Sequence, residues 1–226
     1  DIPAMVEVAK RHNLLVIVDN TFASPWACQP LSMGADLVIH STTKFLGGHS
    51  DLLGGAVVGS KELIAQIFKG RVHFGGAPDP HNCYMLERGM RTLHARMPIL
   101  TSNSAELARR LQNHPNVVRV QHVTLPSHSD YEVAQRVVPK GCGMLGIVVA
   151  GGDEGAMDFM SKLKIFYEAT SLGGVESLIE VPATSSHMAM PVDVRIAAGI
   201  EPGYVRISVG IEDVEDLWDD LNQALA

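Results

Sequence analysis

Four side chains of complementary chemistry follow apolar runs early in the sequence. Asp19 comes after the run at 14–18, and Ser41, Thr43 and Lys44 come just after the run at 37–39. In an open α/β sheet, ligands sit beyond the carboxyl ends of the strands, so a carboxylate, two hydroxyls and an amine are expected to meet at one edge.

An amine condenses with an aldehyde, a carboxylate pairs with a protonated ring nitrogen, and hydroxyls donate to a phosphate. Together these are the requirements of pyridoxal 5'-phosphate (PLP). A buried carboxylate beside the ring nitrogen favours its protonated form and makes the ring a better electron sink. Position alone does not decide the matter. A lysine after a strand is ordinarily solvated, and an aspartate there ordinarily caps a helix or turn.

The elements that must position these groups read as α/β. Asp1 caps a first helix that has Pro3 in its first turn and Met5, Val6, Val8 and Ala9 on its apolar face. The runs at 14–18, 37–39 and 56–58 read as strands, the first of them covered on both faces as in a parallel sheet, and a helix follows over 61–68. From 81 to 112 the pattern is helical, with Pro98 marking a kink or break. The domain boundary is expected in this stretch, dividing 1–95 from 96–226. Strands at 117–120, 145–150 and 204–209, with helices at 153–163 and 213–225, then make a smaller α+β unit.

Composition narrows the class. With 226 residues, 46% of them hydrophobic, the chain can fill a sizeable core. Eighteen basic against 25 acidic residues give a net charge of -7, and no basic cluster interleaved with aromatics suggests nucleic acid as a partner. Cys28, Cys83 and Cys142 are odd in number and widely spaced, which suits a reducing, cytoplasmic setting. No apolar run approaches the ~20 residues of a membrane helix. The chain opens on Asp1-Ile2-Pro3 without Met and enters a helix at once, so the amino terminus is expected upstream.

The text around the four residues is more specific than their positions. Val-Asp-Asn-Thr-Phe-Ala-Ser-Pro (18–25), Gly-Ala-Asp-Leu-Val-Ile-His-Ser-Thr-Thr-Lys-Phe-Leu-Gly-Gly-His-Ser-Asp (34–51) and Gly-Gly-Ala-Val-Val-Gly (54–59) resemble the Cys/Met-metabolism PLP enzymes. So do Glu-Arg-Gly-Met-Arg-Thr-Leu (87–93), Ser-Leu-Gly-Gly-Val-Glu-Ser-Leu (171–178) and Val-Arg-Ile-Ser-Val-Gly-Ile-Glu-Asp-Val-Glu-Asp-Leu (205–217). The family contains cystathionine γ-synthase, cystathionine γ- and β-lyases, methionine γ-lyase and sulfhydrylases of activated homoserines.

The resemblance implies the aspartate-aminotransferase-like fold of type I PLP enzymes. The chain would supply part of the large, mostly parallel-sheet domain and the smaller carboxy-terminal domain. It implies that Lys44 carries PLP as a Schiff base, that Asp19 pairs with the ring nitrogen, that Ser41 and Thr43 contact the phosphate, and that Thr21 lines the ring pocket. Arg206 would hold the α-carboxylate of an amino-acid substrate, helped by Ser171 beside the freed lysine. A guanidinium suits that role because it offers a permanently charged fork.

Two positions depart from the usual pattern. Ser186-His187 stands where many relatives have Thr-His, and keeps a hydroxyl for orienting Arg206. Thr170 stands where γ-lyases and γ-synthases often carry an acid, which blurs the substrate. The resemblance also implies a homotetramer, a dimer of dimers with shared active sites, and an upstream part that brings the stacking aromatic, a glycine-rich phosphate loop and a cross-subunit Tyr/Arg pair.

The expected activity is β- or γ-elimination from a sulfur amino acid, of the cystathionine γ-lyase or methionine γ-lyase type. The alternatives are γ-replacement on O-acylhomoserine and a non-catalytic α/β binding module. Other patterns yield little. Gly141-Cys-Gly-Met-Leu-Gly146 precedes a strand where a dinucleotide fingerprint must follow one, so it reads as a turn. His49-Ser50-Asp51 are adjacent, whereas triad members converge from separate segments. The ten histidines show no paired metal-ligand spacing, and Met85, Met90 and Met97 read as core or interface packing.

Overall fold

The computed structural model describes residues 1–226. Asp1 Oδ1 accepts from Ala4 N and starts helix α1 (Ile2–Arg11). A first sheet follows from β1 (Ile17–Asp19), β2 (Leu37–Ser41) and β3 (Gly55–Gly59), with the short helix α2 (Ser24–Ala27) between β1 and β2. β1 and β2 are parallel and place Asp19 beside Ile39; β2 and β3 are antiparallel. The parallel step thus brings the carboxyl ends of β1 and β2 together.

This sheet is less covered than expected. β1 is only three residues long, Leu14 and Leu15 precede it exposed, and Ile17 is 55% exposed. α1 buries only Val6 and Ala9, too little apolar surface to cover a sheet on both faces. Helix α3 (Lys61–Phe74) extends six residues beyond its expected end and buries none of its side chains.

The helical stretch is two helices, α4 (Pro80–Met90) and α5 (Leu93–Leu111), and α5 runs through Pro98. The break lies at Arg91-Thr92 instead, where the Thr92 hydroxyl donates to Gly89 O and accepts from Arg96 Nε. The methionine face is split accordingly: Met97 is fully buried, Met85 half-buried and Met90 exposed.

The rest of the chain forms β4 (Val117–Gln121), α6 (Tyr131–Val137), β5 (Met144–Val149), α7 (Gly152–Ser161), β6 (Tyr167–Glu168), β7 (Leu178–Glu180), α8 (Val192–Ala197), β8 (Tyr204–Ser208) and α9 (Val214–Ala224). The sequence reading had no counterpart for α6, β6, β7 and α8. The strands order as β4-β5-β8-β7-β6. Central β8 alternates: Val205 and Ile207 enter a core of 22 buried residues with Leu107 of α5, Phe159 of α7 and Leu217 of α9, while Tyr204, Arg206 and Ser208 take the opposite face. Each such buried aliphatic side chain contributes about 1.5–3 kcal/mol. The helices therefore leave one sheet face free to carry polar chemistry.

Arg96 ties the two parts of the chain together. It is 4% exposed and donates to Phe45 O at 3.0 Å and Gly89 O at 3.1 Å. Gly48, at φ +73°, leaves it room, since a Cβ there would stand 2.1 Å from Arg96 Nη1. Arg96→Met removes these charge-assisted bonds at nearly constant volume and is expected to destabilise the protein by about 2–3 kcal/mol in urea unfolding. A loss below about 0.5 kcal/mol would remove Arg96 as the tie.

Candidate active site

Lys44 lies in a single π-turn, Thr42–Leu46, that leaves β2 directly. The turn is closed by Gly47 N donating to Thr42 O at 2.9 Å, and Lys44 interrupts it with φ -93° and ψ -135°. Its Nζ donates to Ser171 Oγ at 2.9 Å, across 127 residues of sequence. Burial holds the amine below the ordinary lysine range, and the positive charge of Arg206 lowers it further. The neutral amine, the form that attacks a carbonyl, is thus easier to reach than in a solvated lysine.

Asp19 ends β1 on the neighbouring strand. It is exposed, contrary to the buried carboxylate expected, because this chain leaves β1 open. The hydroxyl and then the amide of Thr21 hold its carboxyl below the usual range, with His40 adding a smaller pull. Thr21 also links the two strands, since Ser41 N donates to Thr21 Oγ1 at 2.8 Å. Thr43 Oγ1 accepts from Gly54 N at 3.0 Å, which leaves its own proton to donate. Asp19, Thr21 and Ser41 therefore form one connected group at the carboxyl edge, with Thr43 and Lys44 in the turn that follows.

The second group sits on β8 and the loop before β7. Arg206 Nη2 donates to Thr170 O at 2.7 Å and Ser171 O at 3.0 Å, and Ser208 Oγ accepts from Gly173 N at 2.9 Å. One strand thus grips both ends of the segment that presents Ser171 to Lys44. Glu212 fixes the loop further on by accepting from Ser177 N and Ser177 Oγ. Gly173 (φ +80°) makes the close approach possible, because a Cβ there would lie 2.7 Å from Phe45 N. Ser50 donates to Glu176 across the same divide. Between the two parts opens a cleft of about 560 Å³ whose lining includes Thr43 and Ser171.

Ser186 does not reach Arg206. Its hydroxyl lies 2.9 Å from His187 Nδ1 and 3.4 Å from Glu180 Oε1, and Glu180 is the residue that pairs with Arg206, at 2.8 Å. The sequence reading missed Glu180, Ser208, Glu212 and Arg96. For Glu180 a signal existed: one acid inside the apolar run Leu178-Ile179-Glu180-Val181 must be paired if that run is a buried strand.

The donor set suits an aldehyde cofactor with a ring nitrogen and a phosphate. It offers a half-buried amine held below the ordinary lysine range, a carboxylate kept ionised, and hydroxyls beside both. The guanidinium of Arg206 stands near enough to the amine to lower its proton affinity.

Residues 1–226 match the family model described as Cys/Met metabolism PLP-dependent enzyme. The chain is 43% identical, over its whole length, to a cystathionine gamma-lyase of Bacillus subtilis, of which it covers 59%. It is 44% identical to a cystathionine gamma-synthase of Mycobacterium leprae, covering all of this chain and 58% of that protein. The crystal structure of a cystathionine gamma synthase from Xanthomonas oryzae pv. oryzae in complex with cystathionine superposes with a TM-score of 0.96 at 41% identity, over 100% of this chain and 58% of the other. The chain thus spans less than three fifths of the length of these relatives.

A pH dependence follows from the site's electrostatics. The lowered Lys44 amine loses its proton as pH rises through a value below the ordinary lysine range, so reductive methylation of the purified cofactor-free protein, read by peptide mass, should modify Lys44 at lower pH than the lysine of an unstructured peptide. In Arg206→Met the repelling charge is gone, and the Lys44 profile should move to higher pH. A move to lower pH would contradict the coupling.

Proposed function

Since the chain belongs to the Cys/Met-metabolism PLP-dependent enzymes, we propose that the protein acts on a sulfur amino acid by β- or γ-elimination, in the manner of a cystathionine or methionine γ-lyase. The single observation that carries this reading is the convergence on Ser171: its hydroxyl receives the Lys44 amine, and its carbonyl receives Arg206.

In this reading Lys44 attaches the cofactor, Asp19 pairs with the ring nitrogen beside Thr21, and Ser41 and Thr43 hold the phosphate. When bound, PLP supplies an aldehyde for the amine and a ring that draws electrons from the substrate's α-carbon. Arg206 receives the substrate's carboxylate, which places the α-hydrogen toward Lys44. As a free amine held by the Ser171 hydroxyl, Lys44 would be the base that takes the α-proton. A β-substituent, sulfur or an activated oxygen, would then leave with its bonding electrons, and a γ-substituent would leave once a β-proton is removed as well. Water hydrolyses the resulting unsaturated amine to a 2-oxo acid and ammonia, whereas a thiol that adds in place of the leaving group gives a thioether.

The second reading, γ-replacement on an O-acylhomoserine, is supported by likeness to γ-synthases. We take 1–95 as the carboxy-terminal portion of a large cofactor-binding domain and 96–226 as a smaller domain. A homotetramer with shared sites is supported by the resemblance alone, and a cytoplasmic setting by the three free cysteines. No helix is long and apolar enough to cross a membrane.

Product analysis separates the two chemistries. With PLP and cystathionine or methionine, the purified protein should release 2-oxo acid and ammonia without added thiol. Turnover of O-acylhomoserine only when thiol is present would replace the lyase reading with the synthase one.

A further inference from the structure

Few charged side chains are fully buried, and Glu180, at 2% exposure, is the most deeply placed. The others serve the scaffold. Arg96 donates to Phe45 O and Gly89 O, Asp220 accepts from Lys164 N and Ile165 N, and Arg195 pairs with Asp153. Glu180 alone among them meets a residue of the site.

Its position follows from register, since β7 and β8 run antiparallel with Glu180 directly opposite Arg206. Side chains opposite each other in such a pair lie on one face within reach. Glu180 Oε1 is 2.8 Å from Arg206 Nη1, and Oε2 accepts from Ser185 Oγ at 2.9 Å. A carboxylate taken out of water needs a cation and further hydrogen bonds, and Glu180 has both.

Contacts on both sides give this pair its meaning. Nη2 donates to Thr170 O and Ser171 O, and Nη1 stands in an ion pair with Glu180. An arginine on a strand ordinarily has many rotamers, and restricting it before the ligand arrives removes that ordering cost from binding. Glu180 on one side and the two carbonyls on the other fix the plane of the guanidinium.

We propose that Glu180 is a positioning residue that fixes Arg206 so that its guanidinium meets an incoming α-carboxylate, and so sets the selection of amino acids over amines that lack this group. The inference rests on the reading of Arg206 given above.

The test uses the holoenzyme and two probes, L-alanine and ethylamine, which differ by the carboxylate alone. Each is titrated against the visible absorbance of the bound cofactor. Glu180→Ala and Glu180→Met remove the tether, Glu180→Asp draws it back by one methylene, and Glu180→Gln keeps an oxygen facing Nη1. L-Alanine should bind roughly tenfold or more weakly in the Ala, Met and Asp variants, ethylamine within about twofold of the parent, and the Gln variant within about threefold for both. Any folded member of the first three suffices.

Unchanged L-alanine binding in those variants, or an equal loss of both probes, overturns the positioning role. Arg206→Met is the control for the underlying reading: it should weaken L-alanine and spare ethylamine. If it does not, the reading of Arg206 fails; if it does while the Glu180 variants bind normally, only the role of Glu180 fails.

Discussion

The backbone at Lys44 and Phe45 lies where a side chain at position 173 would have to begin: a Cβ there would stand 2.7 Å from Phe45 N and 3.1 Å from Lys44 C. Only glycine, at φ +80°, permits that approach, and the rest of the site depends on it. Because two backbones meet there, Ser171 comes within hydrogen-bond distance of Lys44, and the turn that carries the lysine rests on a loop from the other sheet. Phe45 completes the contact by packing with Met97, Leu100, Met144 and Leu172 in a small core of its own.

The second sheet supplies the other half by alternation. Val205 and Ile207 anchor β8 in the larger core, so Arg206 and Ser208 must emerge on the opposite face, two residues apart. That spacing lets one strand hold Thr170 and Ser171 through Arg206 and Gly173 through Ser208. Burial around the pair also shapes the charges. The Lys44 amine is pushed down by desolvation and by Arg206, while Glu180 gives Arg206 a partner at 2.8 Å. A buried cation without such a partner would be costly.

Much of this was legible in the sequence where the signal was local and repeated. Apolar runs marked β2, β3, β5 and β8 to within a residue or two, the Asp1 cap marked α1, and literal motifs marked the family. What escaped was set by tertiary contact. The two- and three-residue strands β6 and β7 have no periodicity to read, and of the kink or break expected at Pro98 the break is absent, since α5 runs through it. At the site, sequence put the orienting hydroxyl at Ser186, whereas cross-strand register gives the task of meeting Arg206 to Glu180. Asp19 was expected buried and is exposed, since coverage of β1 depends on what packs over the sheet and leaves no mark in the strand's own residues.

The central claim is that Lys44 is the amine to which PLP attaches. Borohydride reduction of the purified protein after incubation with PLP, followed by peptide mapping, tests it most directly. The pyridoxyl mass should lie on Lys44 and be absent from every other lysine at stoichiometric label. Label on another lysine, with Lys44 unmodified, would contradict it.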